Sequence, residues 1–415
     1  MQMFCNNVNS WDDLMLVRMQ QQTMYKPRPE NPFRHVDFTP NRVDGNFAYN
    51  RGVSTPGTTC NDALGNTRQA SPPETCVKSS VSSPITPMST SSGETIDTDC
   101  SFARTTPIPQ HTEAYIDTHC HIDFLCNQIK NRTLKDFDEY VQRNSDKFPS
   151  TFVGLSSPCI ICYKFVSGCI PNFIDPQLYC PISPEFDPRW IEKMVSSKYI
   201  LAASIGVHPH WAYHYTEIVD DLIRRCVNNL EKFCAIGECG LDLARSTASL
   251  EAQTIAFRRQ LKIANMYSLP VIVHCRDKPN SNKAEEICLE ILQEELQRDH
   301  PIHRHCYEGS LENLKKWANS FPNAKFGLKP SPLFDSDRVA LQVVKELPLD
   351  KIILETDSPF FSPHRKTHGR SSSGVPGNAV YVGKVIADVK EQSLDAVLSE
   401  TRLNSQKLYN LEIEL

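Results

Sequence analysis

The chain has no segment of the kind that directs a protein into or across a membrane. Residues Met1 to Leu16 contain no positively charged flank followed by an apolar run. No stretch reaches the roughly eighteen consecutive apolar residues that a transmembrane helix requires. We therefore expect a protein that is neither secreted nor membrane-spanning and that is located inside the cell, in the nucleus or the cytoplasm.

The chain also has no overall excess of positive charge. It carries 44 Lys and Arg residues against 49 Asp and Glu residues, which gives a formal net charge of -5. A protein that attracts nucleic acid through a long-range basic field needs the opposite balance. Any nucleic-acid partner must therefore be held by a local positive patch or through metal ions.

Several common catalytic motifs are missing as well. The sequence contains no Ser-His-Asp spacing, no glycine loop of the phosphate-binding kind and no dinucleotide-binding fingerprint. Hydrophobic residues make up 40% and charged residues 22% of the chain, which is typical of a globular protein with a substantial core. The chemistry of this chain must come from another set of residues.

The first 112 residues differ in composition from the rest. They are rich in Asn, Ser, Thr, Pro and Gln, and such a segment cannot bury enough apolar surface to offset the entropy lost on ordering. We predict a disordered tail over residues 1–112 and a single catalytic domain over residues 113–415. The sequence indicates no particular protein partner for the tail, and we expect a monomer.

From residue 115 onward, short apolar runs alternate with amphipathic stretches of helical period. Eight such repeats in about 300 residues predict a closed (β/α)8 TIM barrel, with a doubly wound open sheet as the alternative. The predicted strands span 115–118, 168–174, 200–207, 233–237, 270–273, 302–304, 324–328 and 351–354. The predicted helices between them include 216–232, 250–267, 284–297, 311–320 and 339–347.

Polar residues follow or close six of these strands. A lone His-x-His such as His119 and His121 is more often ordinary than metal-binding, although alternate residues of a strand do share a face. In a barrel, however, the carboxyl ends of all strands meet at one mouth. Four histidines and two carboxylates meeting there are suited to two divalent ions with one bridging carboxylate. These side chains are His119, His121, Glu238, His274, His305 and Asp357, with His208 and His210 after the third strand.

Six spaced motifs closely resemble those of the TatD family of metal-dependent deoxyribonucleases. In chain order they are His119-Cys-His121, Gly206-Val-His-Pro-His210, Gly237-Glu-Cys-Gly-Leu-Asp242, Val273-His-Cys-Arg276, His305-Cys-Tyr-Glu-Gly309 and Glu355-Thr-Asp-Ser-Pro359. The resemblance runs from about residue 115 to the end of the chain. The run from His303 to Cys306 and the polar N-terminal region are most similar to the eukaryotic type 2 branch. The resemblance implies an amidohydrolase-like barrel that cleaves phosphodiester bonds in DNA, by trimming 3′ ends or by nicking.

The resemblance also implies roles for individual residues. His119, His121 and Asp357 would serve one metal ion, Glu238 would bridge, and His274 and His305 would serve the second. The ions would be Mg²⁺ or Mn²⁺, with Zn²⁺ as the alternative. The implied catalytic residues are Asp357, Glu238 and His210. The implied substrate contacts are Arg276, His208, His210 and Asp242, and Asp117 and Asp242 are expected to hold ligand histidines or mouth loops in place.

Other functions remain open at this point. A two-metal centre does not by itself distinguish DNA from RNA or from a DNA-RNA hybrid, because only a contact to the 2′-hydroxyl does so. A small-molecule amidohydrolase is a second class, although such barrels often carry a carboxylated Lys where this chain has Glu238. A scaffold without activity is the third. Leu243 stands where the family commonly has an aromatic residue, which puts base stacking near that loop in doubt.

Overall fold

The computed structural model describes residues 108–128, 137–149, 152, 167–179, 190–330, 338–363 and 374–412. Most of the predicted tail, residues 1–107, lies outside the described residues. Residues 108–113 are described, and Thr112 donates hydrogen bonds from its backbone amide and its hydroxyl to Asp395. The division of the chain at residue 113 stays a prediction.

The eight described strands form one parallel sheet in which each strand pairs with its neighbour in sequence. This order confirms the predicted (β/α)8 barrel, because a doubly wound sheet would place strands that are distant in sequence side by side. The strands are β1 (Ile116–Cys120), β2 (Gly168–Phe173), β3 (Ala203–Ile205), β4 (Phe233–Asp242), β5 (Val271–Arg276), β6 (Ile302–Arg304), β7 (Lys325–Leu328) and β8 (Ile352–Leu354).

The barrel closes between β8 and β1 through the residues that follow β8. The amide of Asp357 donates to the carbonyl of His119 at 2.9 Å, and the amide of His121 donates to the carbonyl of Ser358 at 2.7 Å. The hydroxyl of Thr118 adds a bond to the carbonyl of Leu354 at 2.9 Å. The seam of the barrel is therefore made by the same segments that carry candidate ligands.

The helices of the described residues lie mainly after the strands, as the repeat predicts. They are α1 (Ile122–Gln128), α2 (Phe137–Arg143), α3 (Pro176–Tyr179), α4 (Trp190–Val195), α5 (Glu217–Asn229), α6 (Leu250–Tyr267), α7 (Lys283–Glu295), α8 (Leu311–Ser320), α9 (Arg338–Glu346), α10 (Ala379–Val389) and α11 (Leu394–Tyr409). None of them combines the length and apolar composition that crossing a membrane requires.

Capping residues explain where several helices begin and end. Ser249, Ser310 and Ser393 precede α6, α8 and α11, and each hydroxyl accepts a hydrogen bond from an amide in the first turn. Ser268 and Asn410 end α6 and α11 in the left-handed conformation, which satisfies the last carbonyl groups. These local signals fix the helices that connect the strands bearing the site.

Alternation along the strands separates the apolar core from the barrel interior. In β5, Val271 and Val273 belong to the main core, whereas Ile272 belongs to a smaller cluster with Ile116, Ile353 and Tyr409. Residues i and i+2 of a strand share a face, so His274 follows Ile272 on its side of the sheet. By the same spacing, Glu355, just beyond the end of β8, lies on the same side of the sheet as Ile353. Apolar residues thus fill one level of the interior, and titratable residues lie above it.

Strand β4 is longer than the apolar run predicts. It continues from Gly237 to Asp242 because residues 239–242 pair with residues 273–276 of β5. Glu238 therefore lies within the strand and does not close it. Polar residues at the mouth interrupt the apolar pattern by which a buried strand is recognised.

Candidate metal centre

The six predicted metal ligands come together at the carboxyl ends of the strands. His119 belongs to β1 and His121 follows it, Glu238 lies in β4 and His274 in β5, and His305 and Asp357 follow β6 and β8. All six residues are buried, at 7% exposure or less. His121 and Asp357, which are 236 positions apart in sequence, thus meet within one cluster.

One half of the cluster lies at the seam of the barrel. The Nε2 atoms of His119 and His121 are 3.3 Å apart. Asp357 Oδ1 lies 3.2 Å from His121 Nε2 and 3.7 Å from His119 Nε2. Glu238 Oε2 lies 3.1 Å from His119 Nε2. Two imidazole nitrogens and one carboxylate oxygen, from His119, His121 and Asp357, therefore converge beside one oxygen of Glu238.

The other oxygen of Glu238 faces the second half. Glu238 Oε1 lies 2.6 Å from His274 Nδ1 and 3.4 Å from His305 Nε2. His208 Nε2 is also near, at 3.6 Å from this oxygen and 3.2 Å from His274 Nδ1. Glu238 thus stands between two sets of imidazole nitrogens, one for each of its oxygens. His208, predicted only as a substrate contact, lies among the ligand atoms.

Asp357 adopts an uncommon backbone conformation, which directs its carboxylate into the cluster. Its φ is 52°, in the left-handed region that few residues other than glycine adopt. Asp357 Oδ1 faces His121, and Oδ2 lies 3.9 Å from His305 Nε2. The two oxygens of Asp357 therefore also face different histidines.

Asp242 lies beneath the second half, and its oxygens are engaged within the protein. Asp242 Oδ2 lies 3.2 Å from His274 Nε2 and 3.1 Å from His210 Nε2. Asp242 Oδ1 accepts hydrogen bonds from the amides of Ala244 and Arg245. This carboxylate orients His274 and the following loop, as predicted for a group that positions ligand histidines.

Asp117 connects the ends of β1 and β8. It accepts hydrogen bonds from the amide and hydroxyl of Thr356, at 3.0 and 2.6 Å, and from the amide of His119. Burial raises the pKa of Asp117 well above its usual value, against the opposing effect of the hydrogen bond from Thr356. The side chain holds the backbone of a ligand strand and does not contact a ligand imidazole.

Glu355 begins the last of the six motifs, although neither the residue pattern nor the resemblance predicts a role for it. Its Oε2 lies 3.1 Å from His305 Nδ1 and 2.9 Å from His303 Nε2, and its Oε1 accepts from the amide of Cys306. His303 Nδ1 in turn lies 2.6 Å from the hydroxyl of Tyr409 in α11. Gly327 of β7 leaves the space, because a Cβ there would overlap the Glu355 carboxylate. The sequence feature that could have indicated a role for Glu355 is its position directly after the apolar run of β8.

The electrostatics of the cluster keep its carboxylates ionised. Burial works against the charged form of Glu238, but the neighbouring histidines, His305 first, outweigh it and hold the pKa of this carboxyl well below its usual value. Burial likewise opposes a charge on His121, yet the hydrogen bond with Asp357 and the nearby carboxylates raise its pKa to about 9. Burial and the neighbouring His119 lower the pKa of His305 to about 4.

These side chains fit divalent cations. Four groups of three ligand atoms lie within 4.8 Å of one another, and every contributing residue is buried. The groups are His119, His121 and Asp357; His208, Glu238 and His274; His119, His305 and Glu355; and His305, Cys306 and Asp357. Buried carboxylates need compensating positive charge, and mixed imidazole and carboxylate ligands provide sites for Zn²⁺, Mn²⁺ or related ions.

Arg276 and His210 lie at the edge of the cluster. The guanidinium of Arg276, at the end of β5, is 3.8 Å from Asp242 Oδ2. His210 is partly exposed, and its imidazole contacts the same carboxylate. A polar cleft of about 470 Å³ opens beside Arg276 and is lined by Lys278, Asn282 and other polar residues of the loop that follows β5. Arg276 therefore borders this cleft, and His210 is accessible to solvent beside Asp242.

A family model described as "TatD related DNase" matches residues 116–410 of the chain. The human protein named "3'-5' RNA nuclease TATDN2" is 31% identical over 304 residues, which cover 73% of this chain and 36% of the human protein. The chain thus spans about a third of that relative's length.

Bacterial relatives match over shorter segments. "Uncharacterized metal-dependent hydrolase YabD" of Bacillus subtilis (strain 168) is 32% identical over 221 residues, which cover 53% of this chain and 81% of that protein. "3'-5' ssDNA/RNA exonuclease TatD" of Erwinia tasmaniensis is 29% identical over 214 residues, covering 50% of this chain and 78% of that protein.

Two solved structures share the barrel. The TatD homologue YJJV of Escherichia coli K12 has a TM-score of 0.51 at 20% identity and covers 71% of this chain and 98% of its own. A TatD-family hydrolase of Entamoeba histolytica has a TM-score of 0.54 at 18% identity, covering 72% of this chain and 99% of its own. At these identities the likeness concerns the fold alone.

Proposed function

Because this chain belongs to the TatD-related DNase family, which includes metal-dependent hydrolases and nucleases, we propose that it hydrolyses phosphodiester bonds in single-stranded nucleic acid from a free 3′ end. The observation that carries this proposal is the position of Glu238. Its two oxygens face two separate sets of buried imidazole nitrogens. A carboxylate in that position suits two divalent ions acting on one phosphate.

The ligand sets follow from the two halves of the cluster. His119, His121 and Asp357 would hold one ion, His274 and His305 the other, and Glu238 would bridge them, with His208 as a further ligand candidate. We propose Mg²⁺ or Mn²⁺, with Zn²⁺ as the alternative. When bound, the ions supply Lewis-acid stabilisation of charge at phosphorus and promote ionisation of the attacking water. All these ligands come from one chain, so a monomer suffices.

The remaining roles belong to residues at the edge of the cluster. Asp357, whose pKa its neighbouring histidines lower against the effect of burial, accepts the proton of the attacking water. His210, held by Asp242 and partly exposed, donates a proton to the departing oxygen. Arg276 contacts a non-bridging oxygen of the phosphate, for which a planar guanidinium is well suited.

The proposed substrates are single strands of both DNA and RNA. The resemblance alone implied DNA, but the names of the human and Erwinia relatives include RNA. A buried centre at a barrel mouth admits a strand end more easily than intact duplex. Glu238 in place of a carboxylated Lys disfavours the small-molecule amidohydrolase alternative.

The test uses 5′-labelled single-stranded DNA, single-stranded RNA, duplex DNA and a DNA-RNA hybrid, each with Mg²⁺, Mn²⁺ or Zn²⁺ and with chelator. We expect single strands to be shortened progressively from the 3′ end, with no cleavage in chelator. A phosphate block at the 3′ end should slow shortening of the same strand. The matched control is Asp357→Asn, which keeps the size of the side chain and removes its charge.

Two results would contradict the proposal. If the wild-type protein cleaves none of the four substrates faster than Asp357→Asn does, the chain is not a nuclease. If internal cuts precede shortening and the blocked strand is cut equally fast, the enzyme is an endonuclease, and the 3′-end assignment is wrong.

A further inference from the structure

Three aromatic rings stand beside the candidate metal centre, and the mechanism above does not use them. They are Phe124 of α1, Trp211 after β3 and Phe360 after β8, and together we call them the aromatic rim. The Phe124 ring centroid lies 5.8 Å from that of Phe360 and 6.2 Å from that of Trp211. All three rings follow strands at the carboxyl end, which is the mouth of the barrel.

The aromatic rim contacts the ligand histidines directly. The ring of His121 lies 5.4 Å from that of Phe124 and 5.5 Å from that of Phe360, measured between centroids. Trp211 lies 5.7 Å from the ring of His208. The rim is therefore continuous with the surface on which the reacting phosphate would lie.

Packing within the protein does not account for the whole rim. Phe360 is 58% exposed, while Phe124 and Trp211 are partly buried. The edge-on contact of Phe124 with Phe360 and its tilted contact with Trp211 explain how the rings hold one another, but they leave most of the Phe360 side chain facing water. Exposed apolar surface of this kind next to a polar centre is typical of a ligand-binding surface.

We propose that the aromatic rim stacks the nucleobase at the 3′ end of a single strand, an inference that rests on the proposed nuclease function. A nucleotide whose phosphate lies at Glu238 carries its base only one sugar away, within reach of rings that touch His121. Arg276, at the end of β5, lies four strands from β1 in the barrel order and is suited to the phosphate side. The strand thus has an aromatic side for its bases and a cationic side for its backbone.

This arrangement has a consequence for substrate choice. Every base has a π-face, so stacking of this kind tolerates any sequence. A base in duplex is already stacked and paired, and reaching the rim would cost it both interactions. The rim also supplies aromatic surface to a chain that has Leu243 where an aromatic residue was expected.

The experiment tests whether the contributions of the Phe360 ring and of the 3′ bases to binding affinity are coupled. A 5′-fluorescein single-stranded oligodeoxynucleotide with phosphorothioate linkages at its 3′ end is titrated with protein and Mn²⁺, and binding is followed by fluorescence anisotropy. A second oligonucleotide lacks the bases at its last two 3′ positions. Both are titrated with the wild-type chain, Phe360→Ala, Phe360→Tyr and Ile255→Ala. Ile255 of α6 is 53% exposed and serves as the matched control for loss of exposed apolar surface.

We expect the wild-type chain to bind the complete oligonucleotide about tenfold more tightly than the abasic one. The ratio of the dissociation constants for the abasic and the complete oligonucleotide should fall below about twofold in Phe360→Ala. It should stay near the wild-type value in Phe360→Tyr and Ile255→Ala. Loss of both the ring and the base should weaken binding hardly more than loss of either alone, since each removes the same contact.

The result that would contradict the inference is that Phe360→Ala and removal of the 3′ bases affect binding independently. If Phe360→Ala and removal of the bases weaken binding additively, the rim does not stack the 3′ base, and the inference is wrong even if the wild-type chain cleaves single strands. If the wild-type chain binds neither oligonucleotide and cleaves no nucleic acid, both the inference and the proposed function are wrong.

Discussion

At the scale of single residues, Glu238 determines what the site can do. Its carboxylate is 2% exposed and lies between histidines contributed by β1, β5 and the end of β6. A buried negative charge requires compensation, and here it comes from protonated imidazoles or from bound cations. The same group therefore influences the charge of the cluster and, under the proposed ligand set, its affinity for metal.

Glu238→Gln tests this role with almost no change in volume. We expect nuclease activity to fall by more than about a hundredfold, because even residues that only support ligands are worth 10–100-fold. The fold should persist, as judged by circular dichroism. The control is Glu290→Gln on the exposed side of α7, which should leave the rate unchanged. Retention of wild-type activity in Glu238→Gln would show that this carboxylate does not bridge catalytic ions.

Sequence patterns predict the candidate ligands that the structure brings together, and Asp242 beside them, but not the contacts of His303 and Glu355. His119, Glu238 and Asp357 are predicted because each belongs to a specific motif at or near the end of a predicted strand. His303 and Glu355 lie close to those motif residues, yet a buried contact between a carboxylate and a histidine has no characteristic spacing in sequence. Which residues they contact depends on the level of each residue along the barrel axis and on the space that Gly327 leaves for the Glu355 carboxylate. Both are defined only once the sheet has formed.

At the scale of elements, helix α11 is joined to the centre through β6 and β8. The path runs from the hydroxyl of Tyr409 to His303, then to Glu355, and then to Nδ1 of the ligand His305. All four residues are buried. A ligand imidazole whose second nitrogen is held by a carboxylate is fixed in orientation and made a stronger ligand. Under the proposed ligand set, the packing of α11 against the barrel thus supports metal binding.

Substitutions along this path should weaken metal binding in proportion to their distance from His305. We expect Glu355→Gln to lower the affinity for Mn²⁺ by about 10–100-fold, and Tyr409→Phe to lower it less, measured by isothermal titration calorimetry. Tyr115→Phe is the control, since its buried hydroxyl donates to the carbonyl of Gly377 away from the ligands. Equal affinities in Glu355→Gln and the wild-type chain would contradict a positioning role.

Elements with clear periodicity and caps were predicted best. The ranges of α6 and α8 agree with prediction because a serine cap precedes each and the helical pattern is uninterrupted. Strand β3, by contrast, spans only Ala203–Ile205 of an apolar run that covers 200–207. The rest of that run packs as irregular chain, since burial alone makes a segment apolar whether or not it pairs.

At the scale of the whole molecule, residues just before β1 fasten the start of the barrel to its last helix. Thr112 and the amide of Glu113 bond to Asp395, and the carboxylate of Glu113 pairs with Arg402. The hydrogen bond from the Thr112 amide is the first cause of the lowered pKa of Asp395. These contacts thus already involve Thr112, one residue before the predicted boundary at residue 113.

A pair of truncations tests where the domain begins. A chain that starts at residue 108 should keep the melting temperature and activity of the complete chain. A chain that starts at residue 114 should lose about 1 kcal/mol of stability, or roughly 2–4 °C in melting temperature. Asp395→Ala in the complete chain should reproduce that loss. If both truncations melt alike, these contacts do not stabilise the domain.

The seam of the barrel also bears on when the protein becomes active. His121 and Asp357 are 236 residues apart in sequence, and the bonds that join their segments complete the sheet. A chain still being translated presents its histidines long before the carboxylate has left the ribosome. Under the proposed function, the site is complete only after β8 and the residues that follow it have been synthesised, so we expect the nascent chain to be inactive until then.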